Sequence, residues 1–321
     1  MKRKTTIALA IMMALALVLA GCAQQETEST PSSSPAPTPI GTPLVQPTPA
    51  DPSYTVTDSQ GNEITLADVP GKIISIAPNI TEIVFALGAE DKLLARTDWC
   101  NYPAEVFDYE SVGNIDQPDV EKIISLDPDV VLLSEMTSKE LALQIKDAGI
   151  PIFVVDNEET FEGAYTCIEM VGSVLGMDEE ADSIVEDMKS RIKAVMDKVA
   201  DAQSKTVYYV MGYGEYGDFT AGKGTFISEM INSCNAVNVA DDTDGWSYSV
   251  EKLVEHNPDV LLLSTWAPAD GLKTANGYKD LTAVKNDMVF TLDDDSLQRL
   301  GPRIADAFEA MAAAIHPELF E

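Results

Sequence analysis

With 321 residues and a net charge of −32, from 21 Lys+Arg against 53 Asp+Glu, the chain has room for about two domains and a sizeable core. That acidity excludes nucleic acid as a partner, because little here could neutralise a phosphate backbone. Two histidines exclude a His-rich zinc site, and four cysteines without a C-x-x-C pair argue against a zinc ribbon or a disulfide framework.

Lys2, Arg3 and Lys4 precede fourteen apolar residues, Ile7 to Ala20. That run is too short to span a bilayer comfortably and suits the core of a signal peptide. It closes on Leu19-Ala20-Gly21-Cys22, which resembles the lipobox of bacterial lipoproteins. The resemblance implies a signal peptide over 1–21 and a diacylated Cys22 at the mature N-terminus. Two acyl chains anchor a protein stably where one does not. Residues 22–53 then form a linker rich in Pro, Ser and Thr, with prolines at Pro31, Pro35, Pro37, Pro39, Pro43, Pro47, Pro49 and Pro52. Such a composition buries no core and predicts a semi-rigid spacer reaching roughly 90 Å as polyproline II. The chain is thus expected to be exported and held at the outer face of the cytoplasmic membrane, touching it through the lipid anchor only.

Folded sequence begins at Tyr54. Tyr54–Asp58 and Glu63–Leu66 predict a hairpin around Ser59-Gln-Gly-Asn62. Ile73–Ala77 predicts a strand and Thr81–Leu87 a helix, with Asn79 and Glu82 at capping-box spacing. Strands and helices then alternate: Leu93–Thr97, Val120–Leu126 (helix), Val130–Ser134, Lys139–Ala148 (helix), Ile152–Val155. This is the pattern of an α/β lobe over 54–159. From Thr160 to about Ala202 the periodicity is helical, broken only around Gly172 to Met177. The economical reading of 160–204 is a connector containing one long interlobe helix. A second α/β lobe occupies 205–321, with a strand at Thr206–Met211 and helices at Thr225–Asn232, Val250–His256, Tyr278–Lys285 and Pro302–Ile315.

An internal repeat relates the two lobes. Val120-Glu-Lys-Ile-Ile-Ser-Leu-Asp-Pro-Asp-Val-Val-Leu-Leu-Ser134 recurs as Val250-Glu-Lys-Leu-Val-Glu-His-Asn-Pro-Asp-Val-Leu-Leu-Leu-Ser264, identical at nine of fifteen positions. In each copy proline ends a short helix and a buried strand follows. Glu121 and Glu251 occupy matching helix starts. The helix dipole alone accounts for a carboxylate there, at about 0.3–1 kcal/mol. The alternative is a pair of carboxylates that meets arginines on a two-lobed partner.

Several stretches resemble the metal-chelate class of ABC-transporter solute-binding proteins. They are Ile73-Ile-Ser-Ile-Ala-Pro-Asn-Ile-Thr-Glu82, Thr97-Asp-Trp-Cys-Asn-Tyr-Pro103, Val112-Gly-Asn-Ile115, the first repeat, Phe219-Thr-Ala-Gly-Lys-Gly-Thr225 and Gly301-Pro-Arg303. The resemblance covers Tyr54 to Glu321. It implies two Rossmann-like α/β lobes with central sheets, joined by one long helix, the helical-backbone periplasmic-binding-protein fold. It also implies modest closure on ligand and a monomer. Members capture cobalamin, ferric siderophores or heme and deliver them to an ABC permease driven by a cytoplasmic ATPase. In that class a glutamate on each lobe docks on permease arginines, and the matching positions are Glu121 and Glu251.

Ligands of such folds lie in loops after strand ends, between the lobes. Trp99, Tyr102, Phe219, Trp246 and Arg299 fall on such segments, with Trp266 and Arg303 as weaker candidates. Aromatic faces suit a flat macrocycle, although lobe packing would place the same residues there. The likeness to cobalamin-binding members is greatest at Trp99, Tyr102, Trp246 and Arg299, and it departs at Ile115 and Ser134. An anionic siderophore calls for a basic cluster, yet only Arg96, Lys223, Arg299 and Arg303 lie on plausible cleft segments. A heme receptor needs a His, Met or Tyr axial ligand. His256 and His316 read as structural, while Met211 and several tyrosines keep heme open. A nearly neutral corrinoid fits best. The metal chelate is cargo, and no cofactor or metal of the chain's own is expected.

Gly212-Tyr-Gly-Glu-Tyr-Gly217 imitates a dinucleotide fingerprint but lacks the helix that must follow, and Gly217 to Lys223 imitates part of a P-loop without its Ser/Thr in register. The chain has no G-x-S-x-G and no H-E-x-x-H, so an enzyme is the weaker reading. A surface adhesin is the third. Asp293-Asp-Asp295 reads as a solvated loop.

Overall fold

The computed structural model describes residues 53–214 and 217–320. The expected signal peptide, Cys22 and nearly all of the linker lie outside the described residues. The first elements are a hairpin, β1 (Tyr54–Thr57) and β2 (Glu63–Leu66), then β3 (Ile73–Ser75), α1 (Pro78–Ala86), β4 (Leu93–Arg96) and β5 (Glu110–Ser111). They are followed by α2 (Val120–Ser125), β6 (Val130–Leu133), α3 (Lys139–Asp147) and β7 (Ile152–Val154). β3 to β7 form a parallel five-stranded sheet in the order β5-β4-β3-β6-β7.

The second half comprises β8 (Lys205–Val210), β9 (Asp218–Phe219), α6 (Phe226–Ser233), β10 (Ala236–Asn238), β11 (Ser247–Tyr248) and α7 (Val250–His256). After it come β12 (Val260–Ser264), α8 (Ala269–Leu272), α9 (Thr282–Lys285), β13 (Val289–Leu292), α10 (Asp294–Gln298) and α11 (Ile304–Ile315). Its parallel sheet runs β10-β8-β12-β13. Every residue of β6 and β12 is buried, which is why both read as unbroken apolar runs: helices cover both faces of such a sheet.

The connector is two helices, α4 (Phe161–Leu175), the capping helix, and α5 (Asp178–Val199), the spanning helix. The break falls at Gly176, whose φ of 66° lets it cap the first helix in the left-handed region. The spanning helix buries Ala181, Val185, Met188, Ile192, Val195 and Val199 along one stripe. At 1.5 Å per residue it is about 33 Å long. It packs on the capping helix and on α11, where Arg191 meets Asp306 and Glu309, the latter at 2.8 Å. The capping helix in turn lies against α1.

The repeat is structural. Ile123 and Leu253 are each fully buried beneath their helices. Asp119 Oδ1 accepts from the Lys122 amide at 3.0 Å, and Ser249 Oγ from the Lys252 amide at 3.3 Å, capping α2 and α7 alike. Asp127 and Asn257 end the helices in the left-handed region, with φ of 50° and 45°. Two residues on, Asp129 Oδ2 accepts from the Gly71 and Lys72 amides, each at 2.9 Å. Asp259 Oδ2 does the same for the Thr206 amide at 2.9 Å and the Thr206 hydroxyl at 2.8 Å. Each copy is thus stapled to the start of its lobe's first sheet strand.

Two expectations change. No side-chain cap forms at Asn79 and Glu82, because Pro78 starts α1 with its fixed φ after an extended Ala77. The helix expected over Tyr278–Lys285 is confined to Thr282–Lys285, since Tyr278 is buried and donates to Asp218 Oδ1 at 2.6 Å. Cys100, Cys167 and Cys234 are buried and free.

Candidate functional site

The loop after β4 carries the first group of candidate residues. Thr97 and Cys100 are buried and hold its base, while Trp99 and Tyr102 remain 51% and 46% exposed. Trp99 Nε1 donates to Asn114 Oδ1 at 3.2 Å, fixing the indole edge and leaving its face open. Arg96 belongs to the lobe interior: its Nη1 donates to Thr97 O at 3.0 Å, and its guanidinium lies 5.4 Å from the Phe107 ring centre.

In the other lobe, β9 and β11 pair antiparallel, setting Phe219 opposite Ser247. The Thr220 amide donates to Trp246 O at 2.9 Å, so Phe219 and Trp246 share one ribbon, each 38% exposed. The glycine-rich loop serves this ribbon. Gly222 N donates to Gly245 O at 2.8 Å, and a Cβ at Gly222 would lie 2.5 Å from the carbonyl oxygens of both Thr243 and Gly245. Close backbone approach explains the glycine, with no phosphate required.

Between the lobes lies a cluster of opposite charges. Glu82, in α1 and 4% exposed, accepts from Arg299 Nη1 at 2.6 Å, from Arg303 Nε at 2.8 Å and from Arg303 Nη2 at 2.7 Å. Arg299 also meets Asn101 Oδ1 at 2.7 Å and Asp295 Oδ2 at 2.9 Å, and its Nη2 reaches Trp99 O at 3.5 Å. Asn101 Nδ2 donates to Asp295 Oδ2 at 2.8 Å. Arg303 pairs with Asp293 Oδ2 at 2.9 Å, and its guanidinium stacks 4.2 Å from the Tyr102 ring centre. Burial opposes the Arg303 charge, but Glu82 and Asp293 more than offset it, so its pKa lies above the ordinary value.

The three-acid run is accordingly no solvated loop. Asp293 and Asp295 answer the two arginines, and Asp294 is 3% exposed. Its carboxylate accepts from Tyr209, from Ser264 Oγ at 2.6 Å, and from the Thr265 amide at 2.9 Å.

Of the expected ligand-binding residues, Trp99, Tyr102 and Arg299 therefore stand around one ionic cluster, and Phe219 and Trp246 on one ribbon. Trp246 also shares a small cavity of about 30 Å³ with Phe226, Leu297 and Gln298, next to Arg299 in sequence. Trp266 projects from the end of β12 at 75% exposure. The sequence reading missed Glu82, Asn101, Asp293 and Asp295 as members of the cluster. A carboxylate among Ile80, Ile83 and Val84 was the available signal, since such a group is buried only when paired. Larger concavities, about 520 and 580 Å³, lie beside the β1–β2 hairpin. There burial, then a hydrogen bond and charge from Glu135, push the Asp156 carboxyl up to about 6.

Glu121 and Glu251 are both exposed in the first turns of α2 and α7. Neighbouring lysines are drawn elsewhere, Lys122 to Glu110 at 2.8 Å and Lys252 to Asp242 at 3.0 Å. Glu251 accepts from Ser249 Oγ at 2.9 Å, and its own amide and that hydroxyl hold its pKa below the usual carboxylate range. His256 is exposed on α7, 3.6 Å from Asp242, and His316 is fully buried, its Nε2 2.9 Å from Cys234 O.

Comparison with known proteins follows the same lines. A family profile described as periplasmic binding protein matches residues 73–296. The chain is 33% identical, over its whole length and the whole of the relative, to an uncharacterized ABC transporter substrate-binding lipoprotein, YvrC, of Bacillus subtilis. It is 30% identical to a vitamin B12-binding protein of Vibrio cholerae, over 74% of this chain and 86% of that one. Among solved structures it resembles the periplasmic heme-binding protein RhuT of Roseiflexus in apo form, with TM-score 0.68 and 25% identity over 77% of this chain and 98% of that one. The chain belongs to the periplasmic binding protein family, and within it to the substrate-binding proteins of ABC transporters.

Proposed function

We propose that this chain captures a corrinoid between its lobes and delivers it to an ABC permease, performing no chemistry on it. Lipidation at Cys22 would hold it at the outer face of the cytoplasmic membrane. The observation that carries the ligand class is the internal neutralisation of the cleft arginines. Arg299 and Arg303 are spent on Glu82, Asp293 and Asp295, and Arg96 on backbone carbonyls. Of the four cationic candidates only Lys223 is exposed. What remains is aromatic: Trp99, Tyr102, Phe219 and Trp246 offer large faces with few rotamers to freeze. Such a surface suits a large, nearly neutral macrocycle and offers little to an anionic ferric siderophore. The vitamin B12-binding relative supports the same choice.

Calorimetric titration of the full chain in detergent micelles with cobalamin tests this. One-to-one binding at micromolar affinity or better is expected, and no heat, with no competition, would sink it. Heme is the second reading, favoured by the exposed Tyr102 ring beside Arg303 and by the likeness to RhuT. A Soret shift on adding hemin, without cobalamin binding, would establish heme instead.

A further inference from the structure

We propose that each lobe docks on the permease through a compound knob, a carboxylate together with an apolar side chain one helical turn later. The pairs are Glu121 with Ile124 and Glu251 with Val254. The proposal rests on the reading of Glu121 and Glu251 as permease-docking residues and adds what surrounds the cation they meet.

Ile124 and Val254 are among the few large apolar side chains left 42% and 47% exposed. Residues three apart share a helix face, so each stands beside its glutamate. The core is served by the preceding residue in each copy, Ile123 and Leu253, both fully buried. The next exposed position in the repeat has diverged in character, Ser125 against Glu255. Position 124/254 has kept a β-branched apolar residue in both copies. Neither glutamate has an ion-pair partner among the described residues, since Lys122 and Lys252 are engaged by Glu110 and Asp242. Matching caps and the Asp129 and Asp259 staples hold the two knobs in the same attitude on their lobes.

The occupant is basic. A second copy of this chain, at net charge −32, would set carboxylate against carboxylate. The fitting partner is a permease surface that presents, to each knob, an arginine or lysine within an apolar rim. Such a rim excludes water around the ion pair, as in protein interfaces generally.

The test is the affinity of the full chain for its cognate permease complex in nanodiscs, measured across ionic strength. Ile124→Ser and Val254→Ser should each weaken binding about tenfold with the salt dependence unchanged, and Ile124→Val with Val254→Ile should restore it. Glu121→Ala and Glu251→Ala should weaken binding and flatten the salt dependence. Unchanged affinity in the double serine variant, with the glutamate variants still impaired, overturns the compound knob and leaves carboxylate docking standing. Unchanged affinity in the glutamate variants overturns the docking reading itself, and the knob with it.

Discussion

Glu82 and Arg303, 221 positions apart, are joined by two hydrogen bonds, Nε to Oε2 at 2.8 Å and Nη2 to Oε1 at 2.7 Å. One carboxylate in the first lobe thereby receives two arginines from the second, and both arginines lie beside the aromatic candidates for ligand contact. The same contact fixes the lobes and removes positive charge from the cleft. Under the proposed corrinoid reading, electrostatics would set specificity by what it withholds from a ligand.

Removing that carboxylate leaves two largely buried guanidinium groups without their main partner. Glu82→Ala should cost about 3 kcal/mol in urea unfolding, and Glu82→Gln less, since an amide still accepts one hydrogen bond. A midpoint within error of the parent protein would show that the cluster contributes nothing net to stability.

Asp129 and Asp259 do the same work in the two lobes, so their losses should match. Each change to alanine should cost about 1–2 kcal/mol, by removal of two hydrogen bonds to a carboxylate. The double variant should be additive, because the two staples share no partner. Unequal or strongly coupled values in chemical denaturation would contradict the structural equivalence of the repeats.

The Asp156 carboxyl, raised to about 6 by burial and by Glu135, gives a pH signature. An acid whose pKa rises on folding binds more protons in the folded state, so stability falls as pH climbs from about 4 through about 6. Asp156→Asn should remove that decline. Unfolding of both proteins at pH 4.5 and 7 should show the variant gaining relative to the parent only at the higher pH. An equal difference at both would remove Asp156 as its source.

If the exposed indoles hold a macrocycle, Trp99→Ala and Trp246→Ala should each reduce cobalamin affinity about tenfold to a hundredfold by calorimetry, at little cost in stability. The small cost follows from their exposure of 51% and 38%. Loss of stability with binding intact would return both residues to lobe packing.

The amino-acid sequence by itself determined the α/β alternation, the repeat and the break in the connector. These are local properties: unbroken apolar runs such as Val130–Leu133, proline at 128 and 258 ending two helices, and a glycine able to cap at position 176. It also brought Glu121 and Glu251 into correspondence, because a repeat is visible without coordinates. Only the tertiary structure decided what Glu82, Arg299 and Asp293-Asp-Asp295 do. Glu82 read as a helix cap, Arg299 as a cation available to a ligand and the three acids as a solvated loop. Each gave way because its partner lies on another element, in the case of Glu82 and Arg299 217 positions away. A burial cost for charge, and the partner that offsets it, are settled by distance in space, which sequence spacing does not encode.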